Sequence, residues 1–179
     1  MTHKLSTGRS CLVLAALLTL STLALAPAAA QAEDVGLLTS FLSDLDRLEG
    51  KMVPLAEAVP ADMYGWRPAE GIRSVSEVYM HMAGSMQYIL SVVGTTPVAD
   101  LEKVTDKDQV VSELKKAFAA TREAVGKVTA AELGDKVQMF GREWTKADII
   151  YLVGTHNHEH LGQSIAYARS IGVVPPWSQ

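Results

Sequence analysis

Apolar residues recur at spacings of three and four along four separate stretches of the chain, and each stretch ends at residues that break a helix. Over 35–58 the stripe is Leu38, Phe41, Leu45, Leu48, Met52 and Leu55, while Asp44, Asp46, Arg47, Glu49 and Lys51 fall off it. A 3.6-residue repeat sets such a stripe on one helix face and sends the charges to water. Pro54 lies inside this stretch. Proline has no N–H and crowds the carbonyl four residues back, so a kink or an early end near Val53 is expected. Pro60 ends the stretch at the latest.

The second stretch starts at Ser74, and Glu77 three positions on completes a capping box. It carries Val75, Val78, Met82, Ser85, Ile89 and Val92 and closes at Gly94. The third, over 108–128, carries Val111, Leu114, Phe118, Thr121, Val125 and Val128, with Lys115, Lys116, Arg122 and Glu123 on its wet side. The fourth begins at a weaker capping pair, Thr145 with Asp148. Its stripe is Ile149, Val153, His156, His160, Gln163 and Tyr167, and Gly172 with Pro175-Pro176 stops it. The connections differ in kind. Residues 59–73 hold Pro60, Gly65, Pro68 and Gly71 and read as a long turn or a short irregular lid. Residues 95–107 form a crossover of moderate length. Within 130–144, Val137 to Phe140 followed by Gly141-Arg142 reads as a short two-stranded turn. Four amphipathic helices bury their stripes most simply as an all-α four-helix bundle.

The N-terminus changes the picture. Lys4 and Arg9 precede an uncharged apolar run from Leu12 to Ala26, and Pro27 and Ala30-Gln31-Ala32 follow. That order is the three-part layout of a secretory signal peptide, with cleavage expected after Ala32. The run is shorter than the roughly 20 residues of a spanning helix, so no stable membrane anchor is expected. Cys11 lacks the neighbours of a lipoprotein signal. The expected product, residues 33–179, has 147 residues, which suits one domain. It keeps 14 basic residues against 20 acidic ones, a net charge of −6. Such an acidic chain without basic clusters argues against nucleic acid as a partner. The only cysteine leaves with the leader, which excludes a disulfide, a thiolate ligand and a cysteine nucleophile.

The chemistry is concentrated on the fourth stripe, where polar groups enter an apolar face at His156, His160 and Gln163. Residues four apart sit one above the other on a helix, so two imidazoles at this spacing can reach one ion. His158 points to the opposite side and is read as surface. A metal site needs three or four ligands, so a third must come from another helix. The second helix offers one histidine, His81, beside its buried seam, from which it can project toward the fourth helix. Gln163 orients a ligand or simply ends a buried stripe; both readings stand. Glu77 acts beyond the ligands or only as the capping box. Tyr64, Trp66 and Arg67 line a pocket mouth, with Arg67 on an anion, or serve only as packing aromatics and a solvated arginine. His158-Glu159-His160 is not a zincin motif, because the second histidine position holds Gly162. A nucleophile elbow and a phosphate-binding glycine loop are both absent.

Trp66-Arg67-Pro68, then Ser74 to Val78 entering a helix, then His81, then His156, His160, Gly162 and Gln163 in an H-x-x-x-H-x-G-Q pattern together resemble the DinB superfamily. The resemblance spans nearly all of residues 33–179. It implies a four-helix bundle with a longer crossover before the third helix, and His81, His156 and His160 as ligands to one divalent metal, with water in the open positions. It also implies frequent dimers, and activities that include metal-dependent thiol transfer, isomerisation and hydrolysis. Export sets this chain apart from the cytoplasmic thiol transferases of that superfamily.

Three neutral imidazoles leave a divalent ion with open positions, and such an ion activates a bound water or thiol. Zinc, nickel and iron suit imidazole about equally. The expectation is a periplasmic or secreted hydrolase or group transferase acting on a small molecule. The alternatives are a non-catalytic metal-binding or scaffold protein and a periplasmic metal-sequestering protein. An enzyme requires an open, polar-lined cleft beside the ion, whereas a structural ion has four protein ligands and no access. A sequestering protein releases its ion on mild acidification.

Overall fold

The computed structural model describes residues 26–178, with side chains described from Gly36 onward. Four helices carry the fold: α1 (Ala26–Ala58), α2 (Val75–Ile89), α3 (Lys107–Gly126) and α4 (Lys146–Ser170). A two-stranded antiparallel hairpin, β1 (Lys136–Met139) and β2 (Arg142–Thr145), precedes α4. Each helix packs mainly on two others. α1 lies against α3 and α4, and α2 lies against the same two. Among the described residues no helix is long and apolar enough to cross a membrane.

The start of α1 differs from the expected one. Most of the predicted leader lies outside the described residues, as does Cys11, but the segment around Ala30-Gln31-Ala32 forms the first turns of α1. Alanine is the strongest helix former, and five alanines between Ala26 and Ala32 carry the helix back from Val35. Pro54 does not end α1 either, since the helix runs on to Ala58. Gly50, four residues earlier, is exposed, so water can reach the carbonyl that proline leaves unbonded. Val53, Leu55, Ala56 and Val59 are buried around the proline and hold the last turn against the core.

Burial follows the predicted stripes closely on α1 and α3. Leu45, Leu48, Met52 and Leu55 from α1 meet Val110, Leu114, Phe118 and Val125 from α3 in one core. Burying each such side chain stabilises by about 1.5–3 kcal/mol. On α2 burial extends nearly around the helix, from Val75, Ser76 and Val78 to Tyr79, Met80, Met82, Ala83 and Met86. The extra cover comes from the crossover, where Leu101 in the short turn Leu101–Lys103 is buried and approaches Gly84. On α4 the buried stripe is Ile149, Ile150, Val153, Asn157, Leu161, Ser164, Tyr167 and Ala168, so Tyr167 keeps its predicted place. His156, His160 and Gln163 flank this stripe at half-burial rather than lying along it. This rotation opens them to the surface between α2 and α4.

The 59–73 segment is a hydrogen-bonded clamp rather than a lid. The Val75 N–H donates to the Trp66 carbonyl and the Ser76 N–H to the Tyr64 carbonyl, each at 3.0 Å. Ser74 and Glu77 form the predicted capping box. Together these bonds satisfy the N–H groups that a helix start leaves free. The capping pair Thr145–Asp148 forms as well. The hairpin turns at Phe140-Gly141, both with positive φ (52° and 74°), the signature of a tight two-residue connection.

Candidate metal centre

His81 sits in the second turn of α2, while His156 and His160 are one turn apart on α4. The three rings meet where these helices pack. Ring centroids are 4.5 Å apart for His156–His160, 4.9 Å for His81–His160 and 5.3 Å for His81–His156. One ligand atom from each lies within 4.8 Å of the other two. The Nε2 atoms of His156 and His160 approach to 3.2 Å. The His81 side chain is 23% exposed, so the cluster is neither sealed nor on open surface.

The opposite ring nitrogens find different partners. His81 Nδ1 lies 2.8 Å from Glu102 Oε1 on the crossover turn, and Arg73 Nη2 donates to the same oxygen at 3.3 Å. His160 Nδ1 lies 2.9 Å from Gln163 Oε1. The Gln163 amide donates to the Tyr167 hydroxyl at 3.1 Å, and that hydroxyl donates to the Arg73 carbonyl at 3.2 Å. His156 Nδ1 is buried without a hydrogen-bond partner, as are both amide atoms of Asn157 and the Ser164 hydroxyl. Ser85 Oγ stands 3.5 Å from His81 Nε2.

Burial, helped by the neighbouring His160 and His81, pushes the His156 imidazole down to about 4. Burial also lowers His81, against an opposing pull from the Glu102 carboxylate. Both rings are therefore held neutral at physiological pH, the form in which imidazole binds a metal. Three nitrogen donors converging from two helices fit a divalent cation of the zinc, nickel or iron type.

Two clefts adjoin the cluster. One, of about 370 Å³, is bordered by His81, Ser85, Tyr88, Val98 and Leu101. The other, of about 560 Å³, is bordered by Arg67, Arg73, Glu77 and Gln163. Glu102 lines both, so it stands at their junction.

The other predicted site residues separate into groups. Arg67 borders the polar cleft but is bound to the Ile72 carbonyl (2.8 Å) and to Glu77 (3.1 Å). The Glu77 carboxylate serves the Ser74 N–H (2.7 Å) and Arg67, not His81, so the capping role accounts for it. Its carboxyl is held below the usual range by the Ser74 backbone N–H first, with help from Arg67 and against burial. Trp66 packs edge-on against Tyr167 at 5.4 Å. Tyr64 lies at no pocket mouth: it is 1% exposed, and its hydroxyl donates to the Ala56 carbonyl at 2.8 Å. An aromatic ring in the clamp is drawn into the core, and its polar tip takes the backbone acceptor available there. His158 is exposed as expected and lies 2.7 Å from Asp44 on α1. Glu102 and Arg73 are the residues the sequence pattern misses. The local signal is weak: Leu101 is one of three large apolar residues of the crossover, with Val98 and Val104, and its burial carries Glu102 to His81.

The family model described as the DinB superfamily matches residues 44–164. A Bacillus subtilis (strain 168) protein, YjoA, is 26% identical over 125 residues, covering 66% of this chain and 80% of YjoA. The crystal structure of that DinB-like protein superposes with a TM-score of 0.63 at 24% identity, covering 75% of this chain and 93% of the other. A DinB-like protein from Bacillus cereus ATCC 10987 gives 0.67 at 19% identity, covering 79% and 94%. These structural likenesses speak for the fold. The family match includes all three histidines and most of the helical core, and on that ground the chain belongs to the DinB superfamily.

Proposed function

We propose that this protein is a metal-dependent enzyme, exported from the cytoplasm, that acts on a small molecule as a hydrolase or a thiol or group transferase. The observation that carries this reading is the convergence of three histidine ligand atoms beside two open clefts. A purely structural ion is typically closed in by four protein ligands. Here the donors number three, and the space beside them is large enough for a small substrate.

His81, His156 and His160 would hold the ion through their Nε2 atoms. When bound, such an ion supplies Lewis acidity, which makes a water or thiol reactive near neutral pH. The chain supplies the rest. Burial keeps His156 and His81 neutral and ready to coordinate. The polar cleft offers the Arg73 guanidinium and the Gln163 amide to polar groups of a substrate, and the other cleft offers Val98, Leu101 and Tyr88 to apolar ones.

The test is metal analysis by mass spectrometry on untagged protein taken from its native compartment, in wild type and in His156→Ala. About one equivalent of metal in the wild type and loss of it in the variant is the expected result. Stoichiometric metal in the variant refutes the ligand assignment. N-terminal sequencing of the same material checks export, with Glu33 expected as the first residue. A screen of thiol and ester substrates on metal-loaded protein then separates transfer from hydrolysis, and no turnover of any substrate favours a metal-binding role without catalysis.

A further inference from the structure

The structure assigns to Arg73, Glu102 and Tyr167 a role as positioning residues that, with Gln163, set the proton positions on two of the three histidines. The contacts described above form one unbroken run. His81 Nδ1 meets Glu102, Glu102 meets the Arg73 side chain, the Arg73 carbonyl meets Tyr167, Tyr167 meets Gln163, and Gln163 meets His160 Nδ1. A single residue, immediately before the α2 N-cap, joins both branches through its guanidinium and its carbonyl.

The direction of every bond is forced. A backbone carbonyl only accepts, so the Tyr167 hydroxyl must spend its one proton on the Arg73 carbonyl. The hydroxyl can then only accept from Gln163, which fixes the amide with its NH₂ toward Tyr167 and its oxygen toward His160. That oxygen only accepts, so His160 must carry its proton on Nδ1. On the other branch the Glu102 carboxylate only accepts, so His81 carries its proton on Nδ1 as well. Both rings are left with a bare Nε2 lone pair facing the centre of the cluster. The 3.5 Å approach of the Ser85 hydroxyl fits this pattern, since a hydroxyl can donate to a bare Nε2. His156 lies outside the run, and its buried Nδ1 has no partner.

Partners of this kind raise the basicity of a ligand imidazole and fix its ring orientation, and their loss typically costs about 10–100-fold in metal affinity. The proton placement can be read without any ion. Only the affinity measurement rests on the metal-binding reading proposed above.

The experiment is ¹⁵N NMR of the histidine rings in the full chain, free of metal and in mildly alkaline buffer, followed by zinc titration. The variants are Glu102→Ala, Glu102→Gln and Tyr167→Phe, with circular dichroism confirming that each folds. In the wild type both His81 and His160 should show a protonated Nδ1 and a bare Nε2. Glu102→Ala should scramble His81 alone, and Tyr167→Phe should scramble His160 alone. Glu102→Gln should restore the His81 pattern, because its amide oxygen still accepts. Zinc affinity should fall about 10–100-fold in Glu102→Ala and in Tyr167→Phe. An unchanged His81 in Glu102→Ala, or both rings shifting alike in both variants, overturns the assignment. A wild type that shows the tautomer pattern but binds no zinc leaves the assignment standing and sinks the metal reading instead.

Discussion

The α1–α3 seam and the α2–α4 seam are built from the same kind of helix packing but place most of their polar groups differently. Along α1–α3 the charges are spent on one another. Arg122 bonds Asp46 and Glu49 at 2.6 Å each, Lys115 bonds Glu57 at 2.7 Å, and the Lys107 ammonium caps the Glu57 and Val59 carbonyls. Beneath them lies an apolar core that also buries the Thr121 hydroxyl without a partner. Along α2–α4 three imidazoles point nitrogens at one another, and Asn157 and Ser164 are buried without a well-formed hydrogen bond. A buried polar group without a partner costs about 1–3 kcal/mol. Both seams carry this cost, at Thr121 in the first, but the second concentrates it beside the histidines.

The largest effect that sharpens this contrast is Phe118→Ala, in the α1–α3 seam. It should destabilise by about 3–5 kcal/mol in urea melts while leaving zinc stoichiometry intact in whatever fraction remains folded. On the polar side, zinc at about 100 times its Kd should add ~2.7 kcal/mol, or roughly 5–10 °C in Tm. His160→Ala should show no such gain, and a gain equal to the wild type's would erase the distinction between the seams.

Acid should act on the polar seam too. The His156 imidazole sits at about 4 in the folded chain against 6.5 unfolded, so the unfolded chain takes up its proton first as pH falls. Stability of the metal-free protein is then complete above the upper value and declines as pH drops toward the lower one. Denaturation midpoints across that window, in wild type and in His156→Gln, should show a decline that the variant flattens. The smallest effect belongs to Arg122→Ala. Its ion pairs are exposed at Asp46 and half-buried at Glu49, so the loss should be about 1 kcal/mol, with metal affinity unchanged by titration calorimetry.

Helix periodicity made the four elements legible, and the Ser74–Glu77 and Thr145–Asp148 pairs marked two of their starts. The four-residue step from His156 to His160 told of a shared face, because spacing along a helix is local geometry. The position of His81 followed from helix pairing. What stayed hidden depends on where loops dock. Glu102 lies 21 positions from His81 in the crossover, and the burial of its neighbour Leu101 holds it there. Pro54 misled for a related reason: local propensity favours a break, but the buried residues around it outweigh one lost hydrogen bond. Tyr64 misled because sequence order puts it beside Trp66 and Arg67, whereas the clamp turns it inward.

The hairpin holds a quieter consequence. Phe140 occupies a left-handed backbone position (φ 52°) that suits asparagine or glycine far better than a bulky ring. The ring lies 6.0 Å from Tyr88 and 6.4 Å from Trp144, so it bridges the hairpin to the end of α2. Tyr88 is in turn part of the wall of the cleft beside His81. An easier turn at this position would thus unlatch a wall of that cleft, and the awkward backbone of one exposed phenylalanine becomes a handle for reshaping which molecules fit there.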